Sequence, residues 1–299
     1  MKVRAWISAF RLRTLPLALS SIGMGSFLAA ANNIFKSDVF LWSALTTVLL
    51  QVLSNLANDY GDTVHGADSE LRVGPERAVQ SGALSVGEIK TGIILFAVLS
   101  FLSGLYLLSI TVGIGSSLFY WFLGFGLLSI LAAYTYTAGS RPYGYAGLGD
   151  IMVMVFFGLL GVGGSYFLYG LSISYDIILP SVAMGALATG VLNINNIRDI
   201  NADIEAGKQT IPVRFGKQKA VVYHWLLIIT AILMSGTYIL LHGLHLASLI
   251  WLLGIPLLIF NGYKIAIITT DKDLDPYLKQ LALSTFVFMV FFGLAIIIR

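Results

Sequence analysis

The sequence has no cysteine and few charged residues, and both shortages restrict what the protein can be. Without cysteine the chain cannot form disulfides, thiolate metal sites or a cysteine nucleophile. Charged residues make up only 11% of the chain and hydrophobic residues 57%, a balance far from that of ordinary soluble domains. This composition indicates an integral membrane protein, for which we expect membrane lipid as a partner and no nucleic acid.

Nine apolar runs are each long enough, with a few flanking residues, to cross a hydrocarbon layer of about 30 Å as a helix. The runs are 15–30, 40–57, 93–110, 118–133, 151–168, 177–194, 221–241, 246–260 and 281–298. Because helices satisfy their own backbone hydrogen bonds in lipid, the runs predict an all-α polytopic protein. We expect one domain over residues 1–299, with the helices around a central cavity and a cytoplasmic cap. The first run has no defensible cleavage site and is interpreted as a retained helix.

The distribution of charge predicts an orientation in the membrane. If the N-terminus lies in the cytoplasm, only Lys36 and Arg299 of the 18 Lys and Arg residues lie outside, as the positive-inside rule expects. Of the 15 acidic residues, only Asp38 and Asp176 lie outside. The rule makes no demand on carboxylates, so the clustering of both signs predicts a working surface on the cytoplasmic side. We expect the membrane to be a bacterial inner membrane.

Two polar segments follow the second and sixth apolar runs and are similar to each other. In each, an Asn precedes an Asp by four residues, a spacing that places both on one face of a helix. The first contains Asn55, Asn58, Asp59 and Asp62, followed by Asp68 and Arg77; the second contains Asn195, Asn196, Asp199 and Asp203, followed by Lys208 and Arg214. Each segment is predicted to present a column of oxygen ligands at the end of a membrane helix, and the repetition suggests two halves of one site.

The chemistry of these columns predicts a bound cation. Closely packed carboxylates near a low-dielectric boundary repel one another unless cations lie between them. Oxygen ligands without His or Cys suit Mg²⁺, which takes one or two carboxylates and leaves positions for water and substrate phosphate. Basic residues complementary to phosphate oxygens lie nearby: Arg77, Arg141, Arg198, Lys208 and Arg214. The combination predicts a site for a diphosphate with a long apolar tail.

The motifs resemble those of a known family. NDYGD at 58–62 and DINAD at 199–203 are similar to the two aspartate-rich motifs of the UbiA superfamily of intramembrane prenyltransferases. NLANDYGD, TAGSRPYGYAGLGD and AGKQTIPVRFG resemble the branch of that superfamily that acts in menaquinone biosynthesis. The wider family continues its first motif as D-x-x-D-x-x-x-D, whereas Gly66 stands four residues after Asp62 in this chain and the next acid is Asp68.

The resemblance implies a Mg²⁺-dependent transfer of a polyprenyl group from an allylic polyprenyl diphosphate to an aromatic ring. For the menaquinone branch it implies 1,4-dihydroxy-2-naphthoate as acceptor, with loss of CO₂ from the ring carbon that attacks. The implied metal ligands are Asp59, Asp62, Asp68, Asp199 and Asp203, and the implied catalytic residues are Asp59, Asp62, Asp199 and Asp203 together with Tyr136 and Arg141. The implied substrate contacts are Asn55, Asn58, Arg77, Asn195, Arg198 and Lys208, with Arg13 or Arg11 for the acceptor carboxylate. Aromatic faces such as Tyr134, Tyr136, Phe156 or Phe157 would stabilise an allylic cation.

The sequence is also compatible with other functions. A cation-coupled transporter also places acids in membrane helices, although its sites tend toward the bilayer midplane. CDP-alcohol phosphatidyltransferases use spaced aspartates, but their D-x-x-D-G-x-x-A-R motif is absent because Thr63 follows Asp62. Among prenyltransferases, 4-hydroxybenzoate or a homogentisate-like ring is an alternative acceptor. The DKDLD run at 271–275 is interpreted as a solvated loop.

Overall fold

The computed structural model describes residues 2–66, 73–74 and 77–298, and within these ranges every regular element is helical. The α-helices are α1 Lys2–Phe10, α2 Leu15–Ala31, α3 Ser37–Val64, α4 Val86–Thr111, α5 Ser117–Thr135, α6 Gly149–Val153, α7 Ser165–Gly170, α8 Ile178–Arg198, α9 Ile200–Glu205, α10 Ile211–Phe215, α11 Lys217–Leu241, α12 Ile255–Ile267 and α13 Asp275–Ile297. A π-helical segment, Met154–Gly164, joins α6 to α7. Short 3₁₀ helices precede α2, α8, α12 and α13 at Leu12–Thr14, Tyr175–Ile177, Ala247–Gly254 and Asp271–Leu274.

In the described part of the chain, nine helical spans are long and apolar enough to cross a membrane. They coincide with the nine predicted runs, so the predicted all-α polytopic fold is confirmed. Several spans are longer than the runs because polar residues at the helix ends continue the helical hydrogen bonding. The helix α3, for example, begins at Ser37 and continues through the first aspartate segment to Val64.

Capping side chains determine where two of the spans begin. At α4, Ser85 Oγ accepts a hydrogen bond from the backbone N–H of Glu88 at 3.2 Å, and the Glu88 carboxylate accepts one from the backbone N–H of Ser85 at 2.9 Å. At α5, Ser116 Oγ accepts from the backbone N–H of Phe119 at 3.0 Å. These bonds satisfy N–H groups that have no partner within the first helical turn, so both helices start at defined residues.

The helix α8 is central in the bundle, whereas α5 is peripheral. In the most apolar part of the α8 span 78% of the residues are buried inside the protein, against 11% in the α5 span. The π-helical segment packs closely on α8, since a Cβ added to Gly158 would lie 2.6 Å from the Ser181 carbonyl oxygen and 3.1 Å from Gly185 Cα. Small residues allow such close helix contacts in membranes, so the close packing of this segment on α8 explains the glycines at 158 and 185.

The helices α3 and α8 carry the two aspartate segments, and both segments lie at one end of the bundle. They belong to the second and sixth of the nine spans, so they run in the same direction across the bundle. The helix α2 packs against both of them. Their C-terminal ends therefore share one end of the protein, termed here the motif end.

Candidate active site

A polar cavity of about 190 Å³, termed the head cavity, lies at the motif end between α3 and α8. Of the polar residues predicted for the site, those that line it are Arg11, Asn58, Asp62, Arg77, Tyr136, Asn195, Asn196, Asp199, Asp203 and Lys208. Those outside its lining are Arg13, Asn55, Asp59, Arg141, Arg198 and Arg214, while Asp68 lies outside the described residues. The structure thus brings members of both predicted columns, from distant parts of the chain, to one cavity.

Three side chains hold the carboxylate of Asp62, which is buried near the end of α3. Arg77 pairs with Oδ2 at 2.5 Å, and Lys208 pairs with Oδ1 at 3.2 Å. The hydroxyl of Tyr145 donates to Oδ1 at 2.8 Å. Arg77 also donates to the backbone carbonyl of Asn58, which ties it to α3. The negative charge of Asp62 is therefore compensated by charge-assisted hydrogen bonds, as a buried charge requires.

Lys208 joins the two columns. Its Nζ lies 3.2 Å from Asp62 Oδ1 and 3.2 Å from Asp203 Oδ1, and 4.8 Å from the centre of the Tyr145 ring. The loop that carries it is closed by a backbone hydrogen bond from Lys208 N to Asp203 O at 2.9 Å. An oxygen from each column therefore already converges on one cationic nitrogen.

Burial and the oppositely charged neighbours shift the pKa values of Asp203 and Lys208 in opposite directions. Burial raises the pKa of Asp203 to about 6, with the Lys208 ammonium opposing the shift and the Asp199 carboxylate reinforcing it. For Lys208, burial disfavours the charged form, but the carboxylates of Asp62 and Asp203 outweigh it and the pKa lies above its ordinary value. Lys208 is thus positively charged at neutral pH, and the carboxyl of Asp203 is protonated more readily than that of an ordinary aspartate.

The second column is held by a different cation. Arg198, almost completely buried, donates from Nε to Asp199 Oδ1 at 3.0 Å and from Nη2 to Asp199 Oδ2 at 2.6 Å. It also donates to Asn195 Oδ1 at 2.8 Å and to Asp275 Oδ1, at the start of α13, at 2.5 Å. Its guanidinium holds protein groups in this arrangement, and its role as a diphosphate ligand stays a prediction. The solvated-loop interpretation of 271–275 does not describe Asp275, which begins α13 and whose partly exposed carboxylate pairs with the buried Arg198.

The junction of α1 and α2 brings an arginine to the head cavity. Asn55 Nδ2 donates to Phe10 O at 2.9 Å and to Thr14 Oγ1 at 3.1 Å, which holds the junction from both sides. Between them Arg11 has a left-handed backbone with φ of 48° and lines the head cavity. Arg13 instead contacts Asp275 Oδ2 at 3.5 Å. Of the two arginines considered for the acceptor carboxylate, Arg11 is therefore the one at the cavity.

The segment after α5 supplies one predicted residue to the cavity and leaves another at the surface. Tyr136 lines the cavity, and burial, with the nearby Asp150 carboxylate, raises the pKa of its hydroxyl above the usual value, so the hydroxyl stays protonated. Arg141 is exposed and does not line the cavity. The segment approaches α3 closely because position 61 is glycine; a Cβ there would overlap the backbone carbonyl of Thr137.

An apolar chamber of about 350 Å³ adjoins the head cavity on the side away from the motif end. The two share Gln51, Asn58, Tyr136, Val153, Phe157 and Leu192 as lining residues. Phe156, Leu160 and Tyr143 also line the chamber. A molecule with an anionic head and an apolar tail could occupy both spaces at once.

The donor set of the head cavity fits a hard divalent cation. Among the described residues, no three Asp, Glu, His or Cys side chains converge closely enough to hold a metal as they lie. Mg²⁺, however, typically takes only one or two protein carboxylates together with waters and substrate phosphates. Because Lys208 Nζ already bridges Asp62 and Asp203, the two columns can share a cation. The candidate ligands are therefore Asp62, Asp199 and Asp203, with Asn195 as a further oxygen donor.

Comparison with known proteins assigns the chain to a family. Residues 18–288 match the UbiA prenyltransferase family, which is most of the chain. The chain belongs to the UbiA prenyltransferase family. A Haemophilus influenzae protein named 1,4-dihydroxy-2-naphthoate octaprenyltransferase is 46% identical over 299 residues, covering 99% of this chain and 97% of its own. The Escherichia coli protein of the same name is 44% identical over 281 residues, covering 92% and 87%.

Solved structures of UbiA homologues share the fold. The apo structure from Aeropyrum pernix K1 is 17% identical and aligns with a TM-score of 0.68 over 97% of this chain and 98% of its own. The structure from Archaeoglobus fulgidus bound to DMAPP and Mg²⁺ is 18% identical, with a TM-score of 0.60 over 99% and 98%. At these identities the likeness establishes the UbiA fold of this chain.

Sequence reasoning missed two residues that act on the columns of this UbiA site. Tyr145 lies in the PYGYAG part of a segment that was recognised, but several tyrosines there were equivalent on sequence. Asp275 lies in a run of alternating charges with no Asn–Asp spacing, so nothing local distinguished it from a surface acid. Both are identified by contacts with residues more than 70 positions away.

Proposed function

We propose that this chain transfers a polyprenyl group from an allylic polyprenyl diphosphate to 1,4-dihydroxy-2-naphthoate, with loss of CO₂, as a step of menaquinone biosynthesis. The names of the two bacterial relatives, at 46% and 44% identity, support this acceptor. The observation that carries the proposal is the meeting of both aspartate columns, Arg77 and Lys208 at one cavity that adjoins an aromatic, apolar chamber. A diphosphate head and an isoprenoid tail match these two spaces.

The reaction begins with breakage of the bond between the allylic carbon and the diphosphate oxygen, and the electron pair leaves with the diphosphate. Mg²⁺, held by Asp62, Asp199 and Asp203, would supply Lewis-acid stabilisation of that leaving group. Arg77 and Lys208 line the same cavity and offer positive charge to the phosphate oxygens not covered by metal. Their placement opposite the departing charge lowers the barrier because they favour the ionised state over the intact ester.

The allylic carbon, once positive, must be kept from water until the acceptor attacks. The apolar chamber supplies a dry wall, and the faces of Tyr136 and Phe157 lie where the head cavity and the chamber meet. Aromatic faces stabilise an adjacent cation electrostatically. The hydroxyl of Tyr136, with its raised pKa, stays neutral and is a poor nucleophile that does not compete with the acceptor.

The acceptor attacks through the ring carbon that carries its carboxylate. The new bond forms between that carbon and the allylic carbon, and loss of CO₂ returns the bonding pair to the ring and restores aromaticity. Arg11 is the residue we assign to the acceptor carboxylate, because it lines the head cavity and Arg13 does not. The backbone of Arg11 is left-handed, and Asn55 donates a hydrogen bond to the carbonyl of Phe10, immediately before it.

We further propose that the motif end faces the cytoplasm and that the N-terminus lies inside. Support comes from the placement of all but two of the 18 Lys and Arg residues on that side. Cytoplasmic loops of bacterial inner-membrane proteins carry such an excess of positive charge. Labelling of single cysteines in the cysteine-free chain, at Gly66 and at Gly113, tests this orientation, since only the second should react from outside intact spheroplasts.

The proposed function is tested with purified protein, octaprenyl diphosphate and 1,4-dihydroxy-2-naphthoate, with and without Mg²⁺. We expect prenylated product and one CO₂ per turnover, and no product in excess chelator. Product with 4-hydroxybenzoate but not with the naphthoate would keep the diphosphate site and refute the acceptor. Movement of a substrate across vesicles without diphosphate release would instead indicate a transporter.

A further inference from the structure

Two loops carry Tyr145 and Lys208, which are two of the three side chains that hold Asp62. The first, termed the tyrosine loop, comprises residues 136–148 between α5 and α6. The second, termed the lysine loop, comprises residues 206–210 between α9 and α10. The Tyr145 hydroxyl and Lys208 Nζ both contact Asp62 Oδ1, at 2.8 Å and 3.2 Å. The geometry of the head cavity therefore depends on how these two loops are placed relative to each other.

The loops are joined by hydrogen bonds to two consecutive carbonyl groups of the tyrosine loop. The backbone N–H of Gln209, which follows Lys208, donates to Tyr145 O at 2.9 Å. The side chain of Arg214, in α10, donates from Nη2 to Ala146 O at 2.8 Å. These two bonds, termed the loop junction, lie at or directly beside the residues that reach into the cavity. The loop junction therefore fixes the Tyr145 ring beneath Lys208 Nζ, 4.8 Å from the ring centre.

A glycine at position 147 allows the loops to approach so closely. Its backbone has a φ of 81°, in the left-handed region that favours glycine. A Cβ at this position would overlap Gln209 O and lie 2.8 Å from Arg214 Nη2. Gly139, in the same loop, is also left-handed, with a φ of 94°, but a Cβ there would meet nothing within 4 Å. Gly147 is thus distinguished by the contact between the loops and not by its φ alone.

The position of Arg214 differs from the one that its sequence predicts. The sequence groups it with the basic residues complementary to phosphate oxygens. In the structure it is exposed, does not line the head cavity, and contacts a backbone carbonyl of the tyrosine loop. Its helix α10 is fixed by the buried Pro212 and by the hydrogen bond from Arg214 N to Thr210 O at 2.9 Å. The guanidinium therefore extends from a fixed helix to the neighbouring loop.

We propose that Arg214 is a positioning residue for the diphosphate site. Through Ala146 it holds the tyrosine loop against the lysine loop, and this contact sets where Tyr145 meets Asp62 and Lys208. The inference rests on the proposed function, because it concerns the site assigned to the diphosphate. Arg214 acts through Tyr145, so its loss should weaken diphosphate binding only while the Tyr145 side chain is present.

The test measures the affinity of the purified full-length protein for inorganic diphosphate in the presence of Mg²⁺, by isothermal titration calorimetry. Arg214→Ala should weaken binding about fivefold, as the loss of one hydrogen bond does, and Arg214→Lys, which keeps a cationic donor, should recover most of the affinity. Arg4→Ala, at an exposed arginine of α1, is the control and should bind as the wild type does. In a Tyr145→Ala background, Arg214→Ala should cause no further loss, because two residues that act through each other are not additive.

A second pair of variants tests the loop junction without changing any charge. Gly147→Ala and Gly139→Ala both place a side chain on left-handed backbone in the tyrosine loop, so both introduce backbone strain. Only at position 147 would the new Cβ push the loops apart. We expect Gly147→Ala to weaken diphosphate binding as Arg214→Ala does, again only while Tyr145 is present, and Gly139→Ala to have a much smaller effect.

The other outcomes overturn the inference and separate it from the proposed function. If Arg214→Ala and Gly147→Ala bind diphosphate as the wild type does, the inference fails while the proposed function stands. A loss of equal size with and without the Tyr145 side chain would show that Arg214 acts on the diphosphate directly or on the fold in general, and would refute the positioning role. Arg214→Lys binding no better than Arg214→Ala would also refute it. No binding of diphosphate to the wild type with Mg²⁺ would refute the proposed function and, with it, the inference.

Discussion

The two aspartate columns have similar sequences but are built differently. The first lies within one uninterrupted helix, α3, and its Asp62 is held by cations from two separate loops, Arg77 and Lys208. The second crosses a break between α8 and α9 at Asp199, where the backbone hydrogen bonds to Asn195 and from Asp203 preserve the four-residue spacing. Its cation is the adjacent Arg198, which also contacts α13.

The same Asn–Asp pattern is therefore stabilised in two different ways. The first column depends on loops that follow it in the chain, so its charge balance forms only when those loops fold over the cavity. The second carries its own arginine and is anchored to the last membrane helix by Asp275. Lys208 is the contact between the two arrangements, since it touches a carboxylate of each.

The comparison is tested most directly by removing one carboxylate from each column. Asp62→Asn and Asp203→Asn should each lower kcat by on the order of 10²–10³, because each removes a carboxylate proposed to hold the Mg²⁺ that would stabilise the leaving diphosphate. The double variant should be little worse than either single one, since residues that act as a unit are not additive. Steady-state kcat at saturating donor measures this, with Asp38→Asn, at the opposite end of α3, as control. Near-wild-type turnover in either single variant would refute the role of that column.

Removing the ammonium group of Lys208, which lies between the two columns, should have the next largest effect. Lys208→Met leaves the buried carboxylates Asp62 and Asp203 facing each other, so we expect kcat/KM to fall about 100-fold and the metal-free protein to lose roughly 3 kcal/mol of stability. Added Mg²⁺ should then raise its thermal midpoint more than it raises that of the wild type. Lys219→Met, at an exposed lysine, is the control; an equal Mg²⁺ shift in both variants and the wild type would contradict the bridging role.

The anchor of the second column is tested by Asp275→Asn. This change keeps a hydrogen-bond acceptor for Arg198 but removes the negative charge at position 275. Without that charge, the guanidinium of Arg198 should be positioned less firmly against Asp199. We expect the apparent affinity for Mg²⁺, measured by titration of turnover, to weaken about tenfold, as when an outer partner of a metal ligand is lost. Asp271→Asn, which removes the partner of Lys217 nearby, should leave it unchanged. A similar loss in both variants would assign Asp275 a general structural role.

The smallest effect is expected from removing the hydroxyl of Tyr145, the uncharged hydrogen-bond partner of Asp62 in the first column. Tyr145→Phe removes the hydrogen bond to Asp62 Oδ1 but leaves Arg77 and Lys208 in place. One such bond contributes about 1 kcal/mol, so kcat/KM should fall roughly fivefold. Tyr120→Phe, on the exposed surface of α5, serves as control. A loss as large as that of Asp62→Asn would show that Tyr145 takes part in the chemistry itself.

The site residues predicted from sequence are those with a local signal. The spacing of four residues predicts Asp59, Asp62, Asp199 and Asp203, because residues four apart share a helical face whatever surrounds them, and the structure places all but Asp59 in the lining of the head cavity. It could not separate Arg11 from Arg13, since both follow the same short helix and only the folded chain places Arg11, and not Arg13, in the lining of the cavity. Nor could it show that Arg198 faces inward to protein carboxylates, because an arginine beside an aspartate has the same sequence in either orientation.

The sequence by itself determined the nine spans, their helical form and the four-residue spacing of the two columns. Those properties depend on composition and on short-range spacing, which the bilayer and the helix impose directly. Only the tertiary structure decided that Lys208 joins the columns, that Asp275 anchors one of them, and that the head cavity at Asp62 adjoins an apolar chamber. Each of these is a contact or a space between distant parts of the chain, and such relations arise from packing.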